Sequence, residues 1–173
     1  ADVFQLFLQN GKIEVGFLGG AQVDRWGNIN TTVIGSYDRP KVRLPGSGGA
    51  AEIAIHARRV VIISRLNARA FPAEVDFLTS PGQRCRGRTR TELGMPGAGP
   101  IKVITDKGIL ENDPESGEMV LTALYPGVAV AEVKANIGWP LQVRPQLGLV
   151  APPTGEELRQ LREVLDPKKL FLG

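Results

Sequence analysis

Four consecutive β-branched residues, Val60-Val61-Ile62-Ile63, followed by Ser64, constrain this chain more than any other stretch. A strand with one wet face alternates apolar and polar residues, whereas an unbroken run predicts a strand covered on both faces in a parallel sheet. Parallel strands need long crossovers, usually helical, so the run asks for layers of helix and sheet. Val75–Leu78 repeats that character more briefly, and Ile13–Leu18 reads as another buried strand, stopped at Gly19-Gly20. Strands are also expected over Ile29–Ile34, Lys41–Leu44 and Ile101–Thr105. Gly108–Glu111 and Met119–Leu124 read as a hairpin around Asp113-Pro114-Glu115-Ser116-Gly117.

Helical spacing appears three times. Ala50, Ile53, Ala54 and Ala57 fall at i, i+3, i+4 and i+7, and Val130, Val133 and Ile137 form a second stripe. Thr154 and Glu157 make a capping box ahead of Leu158, Leu161 and Leu165. The 21 glycines and 13 prolines are spread as punctuation, which predicts many short elements in one domain over residues 1–173. Thr79–Pro100, rich in Gly, Pro and Arg, shows no period, and a loop of that length is usually functional or mobile. The fold class is therefore α/β, an open and mostly parallel sheet with flanking helices.

Composition narrows the function. One Cys and one His exclude a disulfide framework, a Cys-built zinc site and a multi-histidine metal site. Net charge is only +3, and the basic stretch Arg84, Arg86, Arg88, Arg90 holds no aromatic residue for stacking bases, which argues against nucleic acid. No apolar run is long enough for a membrane span, and the Ala1-Asp2-Val3-Phe4 start lacks a signal-peptide pattern, so a cytoplasmic protein is expected.

Most of the chemistry lies in Lys41–Ala51, a strand, the turn Gly46-Ser47-Gly48-Gly49 and a helix start. Backbone N–H groups left unpaired in such a turn suit a phosphate, a carboxylate or a developing oxyanion. The six residues from Gly46 match G-x-G-x-x-[GA], but the span to Arg58 is too short for a dinucleotide crossover helix. Arg65 and Asn67 also stand where a ribose-binding acid belongs.

An ordered series of motifs then carries a family resemblance. Gly19-Gly20-Ala21-Gln22-Val23-Asp24, Gly27-Asn28-Ile29-Asn30 and Lys41–Ala50 resemble the β subunit of family I CoA-transferases, the glutaconate type above all. Thr79-Ser80-Pro81-Gly82, Arg90, Leu93-Gly94-Met95-Pro96-Gly97 and Val103–Leu110 continue it in order. The resemblance implies a CoA-transferase-like fold and an α-type partner subunit in a hetero-oligomer. It implies CoA exchange between carboxylic acids through an enzyme glutamyl-CoA thioester, with the acyl-CoA as substrate and no permanently bound cofactor or metal. It places Gly46, Ser47, Gly48 and Gly49 at an oxyanion and acyl-CoA site, with Gln22, Asn28 and Asn30 in the adjoining wall. Arg90 is carried over as a CoA phosphate contact.

The family's nucleophilic glutamate belongs to a Glu-Ser-Gly or Glu-Asn-Gly motif upstream of Gly19, and none precedes Gly19 here. Glu14 lies within a strand run, and Glu115-Ser116-Gly117 reads as turn chemistry. The expectation is the C-terminal two-thirds of a β subunit, with the catalytic residue upstream and none in this chain. A related CoA-thioester ring-opening hydrolase subunit and a non-catalytic partner subunit are the alternatives. Cys85 has cationic neighbours that would lower a thiol pKa, but it has no base nearby in sequence. His56, Trp26 and Trp139 read as structural residues.

Overall fold

The computed structural model describes residues 2–171. Its strands are β1 (Val15–Leu18), β2 (Gln22–Val23), β3 (Ile29–Asn30), β4 (Val33–Gly35), β5 (Pro40–Arg43) and β6 (Arg59–Ile63). They continue with β7 (Arg84–Cys85), β8 (Arg88–Thr89), β9 (Pro100–Ile104), β10 (Gly108–Asn112), β11 (Met119–Leu124) and β12 (Val143–Leu149). Helical segments span Val3–Leu8, Ala50–His56, Val130–Lys134 and Gly155–Arg159, the last continued by Gln160–Leu165.

The main sheet has six strands in the order β1-β6-β9-β10-β11-β12. β1, β6 and β9 run parallel, β10 is antiparallel to both its neighbours, and β11 and β12 are parallel. β1 and β6 are joined by a crossover that includes the Ala50–His56 helix, as the apolar run requires. That helix packs hard on the sheet, because a Cβ on Gly16 would lie 2.4 Å from the Ile53 side chain. Val60, Ile62, Val103, Leu110 and Leu121 are buried on one side, in a core shared with Ala54, Phe71 and Val133.

The other side differs from expectation. Phe17 is 65% exposed and Ile63 55%, so β6 is covered on one face only. The unbroken run reports the character of both faces correctly, and its second apolar face is open in this chain. Ile29–Ile34 is also two strands rather than one. The Asn30 side-chain oxygen accepts from the N–H groups of Thr32 and Val33, folding the chain between β3 and β4. Val75–Leu78 forms no strand, and β12, which carries Pro145, was not foreseen. Pro is tolerated because β12 is an edge strand.

Thr79–Pro100 is pinned rather than loose. It holds the β7–β8 hairpin, whose two-residue turn places Arg86 at φ 51 and Gly87 at φ 81. Arg90 is buried, and its guanidinium donates to the carbonyls of Gly97, Gly82, Ala54 and Ile55 at 2.9–3.1 Å. The capping box at Thr154 forms as expected. Leu161 and Leu165 nevertheless point into solvent.

Candidate functional site

The glycine turn follows β5 and opens the Ala50–His56 helix. Its first residue is tied down, since the Gly46 N–H donates to the Thr31 carbonyl at 2.8 Å and the Thr31 hydroxyl donates to the Gly46 carbonyl at 2.8 Å. Ser47 accepts at both ends, its carbonyl from the Ala50 N–H at 2.8 Å and its Oγ from the Ala51 N–H at 3.2 Å. Among the described residues, nothing accepts from the N–H groups of Ser47, Gly48 and Gly49. Gly46 (φ 98) and Gly48 (φ 51) occupy the left-handed region that glycine reaches without strain. A Cβ on Gly49 would meet the Phe4 ring at 2.4 Å, so this ring lies directly on the turn.

Two depressions flank the turn. One, lined by Ala21, Thr31, Leu44, Pro45 and Gly46, is apolar and measures about 230 Å³. The other, about 410 Å³, is lined by Phe4, Gln5, Gln9, Gly48, Gly49 and Glu52. The Glu52 carboxylate lies 3.4 Å from Gln9 Nε2 and 3.4 Å from His56 Nε2. Sequence reading singled out neither Phe4 nor Glu52. The position of Glu52 in the first helical turn after the glycines was the available signal for it.

The other expected residues form two hydrogen-bonded groups: Gln22 with Asn30, the neighbour of Thr31, and Asn28 with Asp24, which line separate depressions beside Glu74 and Arg86. Asn30 Nδ2 donates to Gln22 Oε1 at 2.7 Å and to the Val33 carbonyl, while Gln22 Oε1 also accepts from the Asp76 N–H. Asn28 Nδ2 donates to Asp24 Oδ2 at 2.9 Å and to the Arg84 carbonyl at 3.0 Å. Its Oδ1 accepts from the Gly82 N–H at 2.7 Å. Asp24 is 1% exposed, and its Oδ1 accepts from the N–H groups of Trp26 and Asn28. Burial pushes the Asp24 carboxyl above its ordinary value, against the lowering effect of these donors.

Two expectations change. Arg90 does not face solvent: its guanidinium is spent on four backbone carbonyls, which makes it a clamp between the long loop and the Ala50–His56 helix. Cys85 is buried, and burial pushes its thiol up, outweighing the lowering effects of the Gly82 N–H and of Arg90. Trp139 packs against Phe71 in the core, and Trp26 has the guanidinium groups of Arg25 and Arg84 over its ring. Glu14 pairs with Arg58 and Arg59 just before β1, at the end of that strand opposite Gly19. Glu115 is exposed at the β10–β11 turn.

An open, largely parallel sheet with a glycine turn beyond the carboxyl ends of its strands is an arrangement built to hold a ligand there. The chain belongs to the coenzyme A transferase family, whose model matches residues 1–136. It is 50% identical over 161 residues to the B subunit of 3-oxoadipate CoA-transferase from Pseudomonas knackmussii, covering 93% of this chain and 62% of that protein. It is 38% identical over 167 residues to the B subunit of glutaconate CoA-transferase from Acidaminococcus fermentans, covering 96% and 62%. The crystal structure of the Acidaminococcus fermentans enzyme superposes with a TM-score of 0.83 at 39% identity, over 92% of this chain and 61% of that one. The chain thus spans about 62% of the length of these curated relatives.

Proposed function

We propose that this chain is the β-type subunit portion of an acyl-CoA:carboxylate CoA-transferase of the glutaconate or 3-oxoacid type. The observation that carries the reading is the trio of unpaired N–H groups at Ser47, Gly48 and Gly49, in a chain of the CoA-transferase family. A glutamate carboxylate supplied from outside this chain attacks the thioester carbonyl carbon, and the carbonyl oxygen takes up negative charge. Backbone donors already in place stabilise that charge without reorganising. CoA thiolate leaves, giving a mixed anhydride, and then attacks the glutamyl carbonyl to release the first acid. The glutamyl-CoA thioester hands CoA to a second carboxylic acid by the reverse steps. This is covalent catalysis, which divides one hard exchange into easier ones.

Within this reading Gly46, Ser47, Gly48 and Gly49 bind the acyl-CoA carbonyl region, and Gln22, Asn28 and Asn30 hold the adjoining wall. CoA thioester enters as substrate, an α-type subunit completes the site, and the assembly works in the cytoplasm. Both relatives are B subunits of CoA-transferases, which supports a two-subunit enzyme. Incubating the full-length two-subunit complex with acyl-CoA should give a CoA adduct on a glutamate by mass spectrometry, and acid-dependent CoA exchange. No adduct and no exchange would sink the transferase reading. Hydrolytic opening of a ring in a cyclic CoA-thioester substrate, with the thioester kept and no CoA transfer, would instead favour the likeness to the cholesterol ring-cleaving hydrolase IpdB subunit of Rhodococcus jostii, 26% identical over 153 residues.

A further inference from the structure

The two flanks of the glycine turn differ in kind. On the Glu52 side, Gln5, Gln9 and a carboxylate face the depression. On the other side, Ala21, Thr31, Leu44, Pro45 and Gly46 offer no charged group. Their backbone N–H groups are already bonded: Ala21 to the Asn30 carbonyl, Leu44 to the Thr32 carbonyl, Gly46 to the Thr31 carbonyl and Thr31 to Thr79 Oγ1. The Thr31 hydroxyl is held by Gly46.

We propose that this cavity receives the acyl chain of the thioester, and that Ala21 and Leu44 set the chain length it accepts. The inference rests on the transferase reading. A thioester carbonyl held by the N–H groups of Ser47–Gly49 sits next to Gly46, which is itself part of the cavity wall. From there the chain can run along the side with the glutamines and Glu52 or along the apolar side, and burial favours the latter by about fourfold per methylene. At about 230 Å³ the cavity is smaller than a drug-sized site, so it suits a chain of a few carbons. Ala21 has the smallest side chain in the wall besides Gly46, and a larger side chain there takes up the space the far carbons need. Leu44 is the large one, and trimming it extends the cavity. The mouth is open to solvent, so a carboxylate at the far end of a dicarboxylic chain keeps its water.

The test uses the full-length two-subunit complex with a series of straight-chain acids from acetate to hexanoate as CoA acceptors. The readout is the ratio of kcat/KM for hexanoate to that for acetate. Ala21→Leu should lower this ratio by about 10- to 100-fold, in line with the discrimination a hydrophobic pocket gives. Leu44→Ala should raise it by about fourfold or more. Both residues are half-buried, and circular dichroism confirms that each variant folds. Opposite shifts support the assignment, and either variant that folds carries the test alone. An unchanged ratio, with CoA exchange still running, overturns it and leaves the transferase reading intact. No exchange by the unmodified complex with any acid removes that reading, and this inference with it.

Discussion

Two polar clusters joined through Thr31 behave in opposite ways. In the first, Gln22, Asp24, Asn28 and Asn30 are buried and bonded to one another or to neighbouring backbone. In the turn itself, the N–H groups of Ser47, Gly48 and Gly49 have no acceptor among the described residues. A buried polar group is costly unless paired, so this first cluster reads as a frame that fixes the loops. Groups left unpaired beside solvent-open depressions are the ones free to meet a ligand. The same family-like motifs supply both clusters, and only hydrogen-bond bookkeeping tells frame from site.

The sharpest way to break that division is to remove a frame residue. Asn28→Ala deletes the donor to Asp24 Oδ2 and the acceptor for the Gly82 N–H, leaving a buried carboxylate short of a partner. A loss of about 3 kcal/mol in unfolding free energy is expected by urea denaturation. A loss below about 0.5 kcal/mol, the usual size for an uninvolved surface change, would show that Asn28 is not a frame residue.

The turn should respond in function more than in stability. Gly48→Ala meets no atom within 4 Å of the new Cβ, so the cost is the left-handed φ of 51, about 1 kcal/mol. Relaxing that φ turns the free N–H away from its present direction. The loss of one oxyanion donor lowers kcat by about 100-fold in comparable sites. A full-length complex carrying Gly48→Ala should therefore fold with little loss and exchange CoA about 100-fold more slowly. Unchanged exchange kinetics would take Gly48 out of the site.

How far this was legible in the sequence depended on whether the deciding forces were local. The strand at Val60, the helix behind the glycines, the β10–β11 hairpin and the Thr154 capping box all follow from residues within one or two turns of each other. The division of Ile29–Ile34 was hidden because both halves are β-prone, and the Asn30 side chain does the folding. Arg90 is carried over from the family resemblance as a CoA phosphate contact. It became a clamp because tertiary contacts bring carbonyls from residues 54 and 55 against it. The glycine turn was legible as a potential anion site, but its two unlike flanks were not. Ala21 and Pro45, or Phe4 and Glu52, are far apart in sequence, and only the fold brings them together.

The subtlest difference between frame and surface is electrostatic. Asp24 and Asp113 each accept hydrogen bonds from nearby donors, but Asp24 is buried and Asp113 lies at an exposed turn. Desolvation raises the Asp24 carboxyl above the ordinary 3.8, whereas hydrogen bonds from the Ser116 N–H and hydroxyl lower Asp113 below it. A raised acid favours its protonated form in the folded state. Its contribution to stability is thus full below about 3.8 and is lost as pH rises through the folded value. Asp113 contributes in the opposite sense, with its share lost as pH falls through its lowered value. Carboxyl carbon NMR titration should place the Asp24 midpoint above that of Asp113. In Asn28→Ala the Asp24 midpoint should climb further, because Asn28 is the largest of its lowering partners. A midpoint at or below 3.8 in the unmodified protein would mean that the hydrogen bonds from Asn28, Trp26 and Val75 outweigh burial.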